Sequence, residues 1–338
     1  MREITITKRE AGQRLDRFLG KYMPEASTGF LHKMLRKKNI KLNRGKAEGK
    51  EKLVEGDQVQ IFFAEETLEK FCGKKETEKV RRTLNEEQLR LRSQVRTLFE
   101  TEDVIAFSKP SGMLSQRADK KDDSLNDYLL DYCAERRKMT QEVLSLCRPS
   151  VANRLDRNTS GIVLCGVTMP GLQALSLLLR ERLLEKYYLC IVKGCVKENR
   201  KIRGYLKKDE RNNTVKLIQS PEQGAAPVET WYEVLGTAPE ASLLRVRLIT
   251  GKSHQIRAHL ASVGHPILGD YKYGDRSVND RLKRECHVNY QMLHSCEIRI
   301  PEGRKLPAEG LSGLCIKAPL PEPFVRVMRR WGLEEVRE

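Results

Sequence analysis

The segment Val151-Ala152-Asn153-Arg154-Leu155-Asp156-Arg157-Asn158-Thr159-Ser160-Gly161 holds two arginines, one aspartate and several small polar residues. A stretch of that makeup offers little to a hydrophobic core, so a loop that carries function is expected there. A single carboxylate can serve as nucleophile or general base, provided that it is ionised. A nearby guanidinium favours the ionised form and fixes its geometry. The bland reading of Asp156 is a turn cap over Asn158 or Thr159, the default for an isolated loop aspartate. The tripeptide Arg-Leu-Asp decides little by itself, because it recurs at Arg14-Leu15-Asp16 in what reads as a helix. His254, His259, His265 and His294 have no carboxylate or cysteine beside them at ligand spacing, so no metal is expected. The sequence contains neither a Gly-rich nucleotide loop nor a Ser-His-Asp arrangement.

The elements around this segment alternate between strand and helix. Asp103 to Ser108 reads as a short apolar strand ending at the turn Lys109-Pro110-Ser111-Gly112. Ile162 to Cys165 and Tyr188 to Val192 read as further strands, the second ending at Lys193-Gly194. Leu172, Leu175, Leu178 and Leu179 form a helical stripe. Leu244, Val246 and Leu248 alternate with Arg245 and Arg247 as in a half-buried strand. Beyond the turn at Gly251, Ile256, Leu260 and Val263 mark a helix that Gly264 and Pro266 stop. On its strand, Tyr187 faces away from Tyr188.

The chain has 338 residues, enough for two or three domains. Lys plus Arg is 63 against 46 Asp plus Glu, a net charge of +17. That balance raises the expectation of a polyanionic partner, nucleic acid first. No apolar run is long enough to span a membrane. The first ten residues lack the apolar core of a secretory signal, so a cytoplasmic protein is expected. Nine cysteines without a Cys-x-x-Cys pair fit reduced thiols rather than a disulfide or zinc scaffold.

The charge is uneven. Between residues 31 and 50, Lys33, Arg36, Lys37, Lys38, Lys41, Arg44, Lys46 and Lys50 face only Glu48. Ahead of them Leu15, Phe18, Leu19 and Tyr22 form one helical face, which Pro24 ends. Ser27 or Thr28 caps a second helix with Phe30, Leu31, Met34 and Leu35 on its apolar side. Ile40 and Leu42, a turn at Asn43-Arg44-Gly45 and a strand from Gln58 to Phe63 follow. A charge run is usually a solvated face. Here, Gly12-Gln13-Arg14-Leu15-Asp16-Arg17-Phe18-Leu19, Met34 to Asn43 and Leu53-Val54-Glu55-Gly56-Asp57 resemble, in that order, the S4 RNA-binding domain. The resemblance implies phosphate contacts from Lys33, Arg36, Lys37, Lys38, Lys41 and Arg44. Residues 65–95, with Glu65-Glu66, Lys74-Lys75, Lys79, Arg81-Arg82 and Glu86-Glu87, read as a charged linker with some helix.

From residue 96 onward the chain resembles the RluA family of RNA pseudouridine synthases. Asn153-Arg154-Leu155-Asp156 with Thr159-Ser160-Gly161 matches the family loop His-Arg-Leu-Asp-x-x-Thr-Ser-Gly, except that Asn153 replaces the histidine. Lys109-Pro110-Ser111-Gly112, the strand Glu185 to Gly194 and the helix Gly251 to Leu260 match three further family segments, continued by Gly264 to Asp270 and Tyr273-Gly274. With the S4-like head, the branch resembled is the RluC type, which modifies large-subunit ribosomal RNA.

The resemblance implies an α+β fold with a mixed, largely antiparallel central sheet. The expected domains are an S4-like α/β head over 1–64, a linker over 65–95 and a catalytic domain over 96–330. It implies Asp156 as the catalytic aspartate and Arg154 as the residue that fills the gap of the flipped base. It further implies Tyr188 beneath the uracil, Ile256 as an apolar wall and Arg257 as the partner of Asp156. Breaking the C1′–N1 bond, turning the uracil and joining C1′ to C5 needs no redox step, so no cofactor is expected. The expected partner is RNA, 23S ribosomal RNA or a large-subunit assembly intermediate, with the protein acting as a monomer away from membranes. The rival readings are a non-catalytic ribosome-assembly factor, transfer RNA as substrate, and a glycosidic hydrolase, which usually needs two carboxylates.

Overall fold

The computed structural model describes residues 1–72, 84–119, 121–209, 212 and 214–333. The N-terminal unit comprises β1 (Arg2–Thr5), α1 (Leu15–Tyr22), α2 (Thr28–Arg36), β2 (Ile40–Leu42), β3 (Gly45–Lys46) and β4 (Gln58–Ile61). Its four strands form an antiparallel sheet in the order β1-β4-β2-β3. The apolar faces read from sequence meet here: Leu15, Phe18, Leu19, Leu31 and Leu35 are buried with Ile40, Val59 and Ile61. Ser27 caps α2 by accepting from the N–H of Phe30.

The expected linker carries two helices, α3 (Glu65–Cys72) and α4 (Glu86–Ser93). Leu68 and Phe71 of α3 pack into the N-terminal core, and Leu91 of α4 packs against the main core. Apolar residues at these spacings are too few to stand out against the charged background. Lys74, Lys75, Lys79, Arg81 and Arg82 lie outside the described residues.

The rest of the chain contributes β5 (Arg96–Glu100), β6 (Val104–Lys109), α5 (Leu125–Glu135), α6 (Gln141–Leu146), β7 (Ser150–Val151), β8 (Ser160–Gly166), α7 (Met169–Arg180) and β9 (Glu185–Lys193). It continues through β10 (Arg200–Asp209), β11 (Thr214–Ile218), β12 (Ala226–Thr237), β13 (Ala241–Leu248), α8 (Gln255–Ser262), α9 (Arg276–Cys286), β14 (Leu293–Arg299), β15 (Cys315–Lys317) and α10 (Glu322–Arg330). One 11-stranded sheet runs β11-β10-β12-β13-β9-β14-β8-β6-β5, with β15 on β14 and β7 on β8. Its pairings are antiparallel except β14 with β8, so the sheet is mixed and largely antiparallel, as expected. Strand alternation divides the apolar residues between two layers. Ile105, Phe107, Val163 and Cys165 join the main core, whereas Val104, Ala106, Ile162 and Leu164 pack beneath α7.

The N-terminal unit is docked rather than tethered. Leu146 of α6 enters its core, the N–H of Met169 donates to the Arg9 carbonyl at 2.9 Å, and Gln173 Nε2 donates to the Gly12 carbonyl at 2.9 Å. The parallel contact between β8 and β14 is close. Gly161 has φ +111°, and a Cβ there would stand 2.1 Å from the Ser295 carbonyl oxygen. Gly161→Ala is therefore expected to lower stability by ~3 kcal/mol. A urea-unfolding midpoint close to that of the unsubstituted protein would contradict this account of the pairing.

Candidate active site

Asp156, Arg154, Tyr188, Ile256 and Arg257 line one cleft of about 760 Å³ across the middle of the large sheet. Asp156 is the one carboxylate among the lining residues, whereas Arg154, Arg182, Lys186 and Lys252 bring positive charge.

The loop 152–159 is held along its backbone by the segment after β6. Lys109 is fully buried, and its Nζ donates to three carbonyl oxygens: Met113 at 2.7 Å, Pro110 at 3.0 Å and Arg157 at 3.1 Å. Ser111 Oγ donates to the Asn158 carbonyl at 2.9 Å, and the N–H of Gly112 donates to the Arg157 carbonyl at 2.9 Å. Ser115 Oγ accepts from the N–H of Leu155 and donates to its carbonyl, both at 3.0 Å. Lys109 is thus no ordinary strand-end charge; sequence context cannot reveal that three carbonyls converge on one amine. Asn153, which stands where the family has histidine, accepts from the N–H of Leu164 at 2.7 Å and donates to the Ile162 carbonyl at 3.2 Å. It pins the start of the loop to β8.

The side chain of Asp156 is held from the opposite wall. Arg257 on α8 gives Nη1 to Asp156 Oδ2 at 2.8 Å. Its Nε and Nη2 grip Asp270 at 2.7 and 2.9 Å, a two-pronged pairing that fixes the plane of the guanidinium. Asp270 is 1% exposed and also accepts from the N–H groups of Lys272 and Tyr273. Burial works to lower the Arg257 pKa, but the hydrogen bonds and charges of Asp270 and Asp156 outweigh it and raise it. No hydrogen bond from the described residues reaches Asp156 Oδ1, and Asp156 itself lines the cleft. The cap reading fails, since Asp156 meets Thr159 through its backbone carbonyl rather than its carboxylate.

Tyr188 is buried in the cleft floor beside Ile256 and Leu248. Its hydroxyl pKa is raised, chiefly by burial. Tyr187 faces the other side of the sheet, its ring between the guanidiniums of Arg245 at 4.5 Å and Arg299 at 5.1 Å, and is no candidate for the cleft. Arg154 is exposed at the cleft mouth.

His254 and Tyr273 are site residues whose roles the sequence reading did not assign, although both lie in quoted segments. His254 starts α8 in the left-handed region, φ 55°, and makes no side-chain cap. Its Nδ1 stands 2.9 Å from Tyr273 Oη, which accepts the N–H of Val215 at 2.8 Å. Burial lowers the His254 pKa, and its Nδ1 shares one hydrogen with the tyrosine hydroxyl. Its Nε2 lies 3.8 Å from Asp156 Oδ2. Tyr273 also lies against the Arg257 guanidinium, 5.1 Å from its ring centre. Asp270 belongs to the same class: the Gly269-Asp270 pair was visible, its grip on Arg257 was not.

In the N-terminal unit, Lys33, Arg36, Lys37, Lys38 and Arg44 are exposed around the end of α2 and the β2–β3 turn. Lys41 is half-buried with its amine 5.1 Å from the Phe62 ring centre. These six residues share one unit, remote in sequence from the cleft.

A family model described as RNA pseudouridylate synthase matches residues 103–262. The Ribosomal large subunit pseudouridine synthase C of Haemophilus ducreyi is 30% identical over 305 residues, covering 88% of this chain and 86% of its own length. The chain belongs to the RNA pseudouridine synthase family. The protein of the same name from Escherichia coli K12 is 28% identical over 329 residues, 97% of this chain and 95% of its own. Human RNA Pseudouridylate Synthase Domain Containing 4 shares the fold, with a TM-score of 0.59 and 19% identity over 74% of this chain and 97% of its own. Among the described residues, no helix is long and apolar enough to cross a membrane.

Burial pulls the Lys109 amine down to about 7, with Asp156 opposing and Arg157 reinforcing that shift. The folded state then binds fewer protons than the unfolded chain between about 7 and the ordinary lysine value of about 10.4. Stability from this group therefore rises with pH across that window and is lowest below it. Compared with Lys109→Met, the unsubstituted protein is expected to gain unfolding free energy as pH goes from 7 to 10. A pH-independent difference in urea titrations would refute the assignment.

Proposed function

We propose that the protein isomerises specific uridines of large-subunit ribosomal RNA to pseudouridine, with Asp156 as the catalytic carboxylate. The single observation that carries the assignment of Asp156 is its half-bound state in the cleft: Arg257 holds Oδ2, and no described residue hydrogen-bonds to Oδ1. The names of the relatives support the ribosomal target.

The target nucleotide must leave its stack to reach the carboxylate, and Tyr188 offers its uracil an aromatic face. Arg154, exposed at the mouth, is the residue proposed to occupy the vacated space. Asp156 Oδ1 then attacks C1′ or removes a sugar proton as the C1′–N1 bond breaks. The uracil turns in place and C1′ joins C5, which releases Asp156 from C1′ or returns the abstracted proton to the sugar, and the proton lost from C5 is balanced by one gained at N1. Arg257 keeps the carboxylate ionised and oriented through these steps. His254 Nε2 stands 3.8 Å from the same carboxylate. A hydrolase reading lacks its second carboxylate, since Asp156 is the one carboxylate that lines the cleft among the described residues.

The exposed cations of the N-terminal unit complete the reading as a docking surface for RNA phosphates. Because that unit shares its core with α6, neutralising its charges is a cleaner probe than deleting it.

Unmodified ribosomal RNA incubated with the protein should acquire carbodiimide-dependent reverse-transcription stops at defined uridines. Asp156→Ala should abolish them while RNA binding persists; retained stops in that variant would overturn the assignment, and free uracil would instead favour hydrolysis. Changing Lys33, Arg36, Lys37 and Lys38 together to Gln should weaken RNA binding and flatten the fall of affinity with salt. Equal slopes for the two proteins would remove the docking surface.

A further inference from the structure

Two cations on one wall of the cleft take no part in the arrangement around Asp156. Arg182 follows α7 in a tight C-terminal turn. Its N–H donates to the Leu179 carbonyl at 3.2 Å and that of Leu183 to the Leu178 carbonyl at 2.9 Å. The turn puts Arg182 at φ 54°, where glycine is the ordinary choice. A long, exposed guanidinium occupies the position instead. Lys186 lies two residues before Tyr188 on β9, so both project to the same face of the strand, about 7 Å apart. Its Nζ reaches across Gly251, where a Cβ would stand 3.3 Å from it.

Neither side chain forms an ion pair with a described residue. The two side chains line the same cleft, and the Arg182 charge adds to burial in lowering the Lys186 pKa. Like charges held together without a carboxylate repel, and an anion between them removes that cost. Arg182 also lines a second cavity of about 410 Å³ with Arg203, Tyr205, Pro227 and Val228. Arg182, Ile249 and Thr250 line both the cavity and the cleft, so the two adjoin at these residues.

We propose that Arg182 and Lys186 form a phosphate site for the RNA backbone immediately beside the target uridine, at the point where the strand passes from the cleft toward the second cavity. The inference rests on the uridine-isomerase reading and adds to it where the neighbouring backbone is gripped. A uracil on Tyr188 places its own nucleotide's backbone within reach of Lys186. The tyrosine recognises a ring face, whereas the two cations recognise a charge that every sequence carries. They therefore hold the strand in register without specifying its bases.

The test uses the full chain and unmodified large-subunit ribosomal RNA. Lys186→Met and Arg182→Met should each raise KM about tenfold with a much smaller change in kcat, and Lys186→Arg should recover most of the loss. Replacing both should reduce the slope of log affinity against log potassium chloride by about 0.7–0.9, the contribution of one phosphate. An RNA fragment centred on the modified uridine, with a neutral methylphosphonate at one adjacent linkage, should show the same loss with the unsubstituted protein. It should show no further loss with the double variant. Unchanged KM and slope in the double variant, or a methylphosphonate effect that simply adds to it, would overturn the phosphate site while pseudouridine formation stands. Absence of pseudouridine with the unsubstituted protein would instead overturn the functional reading and the phosphate site with it.

Discussion

Arg257 is the constraint around which the cleft is arranged. A guanidinium in this position is almost out of reach of water, and a buried charge without a partner costs several kcal/mol. Asp270 answers that requirement with two parallel hydrogen bonds, which consume Nε and Nη2 and set the plane of the group. Only Nη1 is then left to point at the loop, and it meets Asp156 Oδ2. The fork also needs α8 to stay in place. Gln255 fastens the first turn of that helix to β12, donating to the Glu229 carbonyl and to Thr230 Oγ1 at 3.0 and 2.9 Å. His259 Nδ1 meets the same Thr230 hydroxyl at 2.8 Å.

The carboxylate is thereby positioned from two directions by different chemistry. Lys109, Ser111 and Ser115 hold the loop by its backbone, so the loop's side chains remain free for other work. Arg257 holds one carboxylate oxygen and leaves the other open. Segments far apart in the chain meet for this purpose in the middle of the sheet, beside the parallel pairing of β14 with β8. The small separation at Gly161 and Ser295 lets β14 run against β8 there.

The net charge of +17 is not one property but several. Part of it lies exposed on the N-terminal unit, a shape suited to phosphates at long range. Arg257 is neutralised internally by two carboxylates and contributes little outside. Arg182 and Lys186 have no such neutraliser among the described residues, and their charge is directed into the cleft. The docking of the N-terminal unit through α6 and α7 means that these surfaces are parts of one body, held by the contacts at Arg9 and Gly12.

The sequence by itself determined the elements and the chemistry on offer. The 3.6-residue spacing of Leu15, Phe18 and Leu19 and the alternation around Val246 report which face is buried, because burial follows from the geometry of a single helix or strand. The resemblance carried by Asn153 to Gly161 and Gly251 to Leu260 led to the family in which the chain belongs. What only the tertiary structure decided were the meetings between distant groups. Tyr187 and Tyr188 were told apart by which face of β9 met the cleft. Lys109 became the anchor of a loop 48 residues away, and Asp270 became the clamp on Arg257. The helical content expected in the charged stretch at 65–95 became packed elements because Leu68, Phe71 and Leu91 found cores to enter. Local periodicity carries no record of such partners: a hydrogen bond between remote residues depends on the path of the whole chain, and that path exists only once the sheet has assembled.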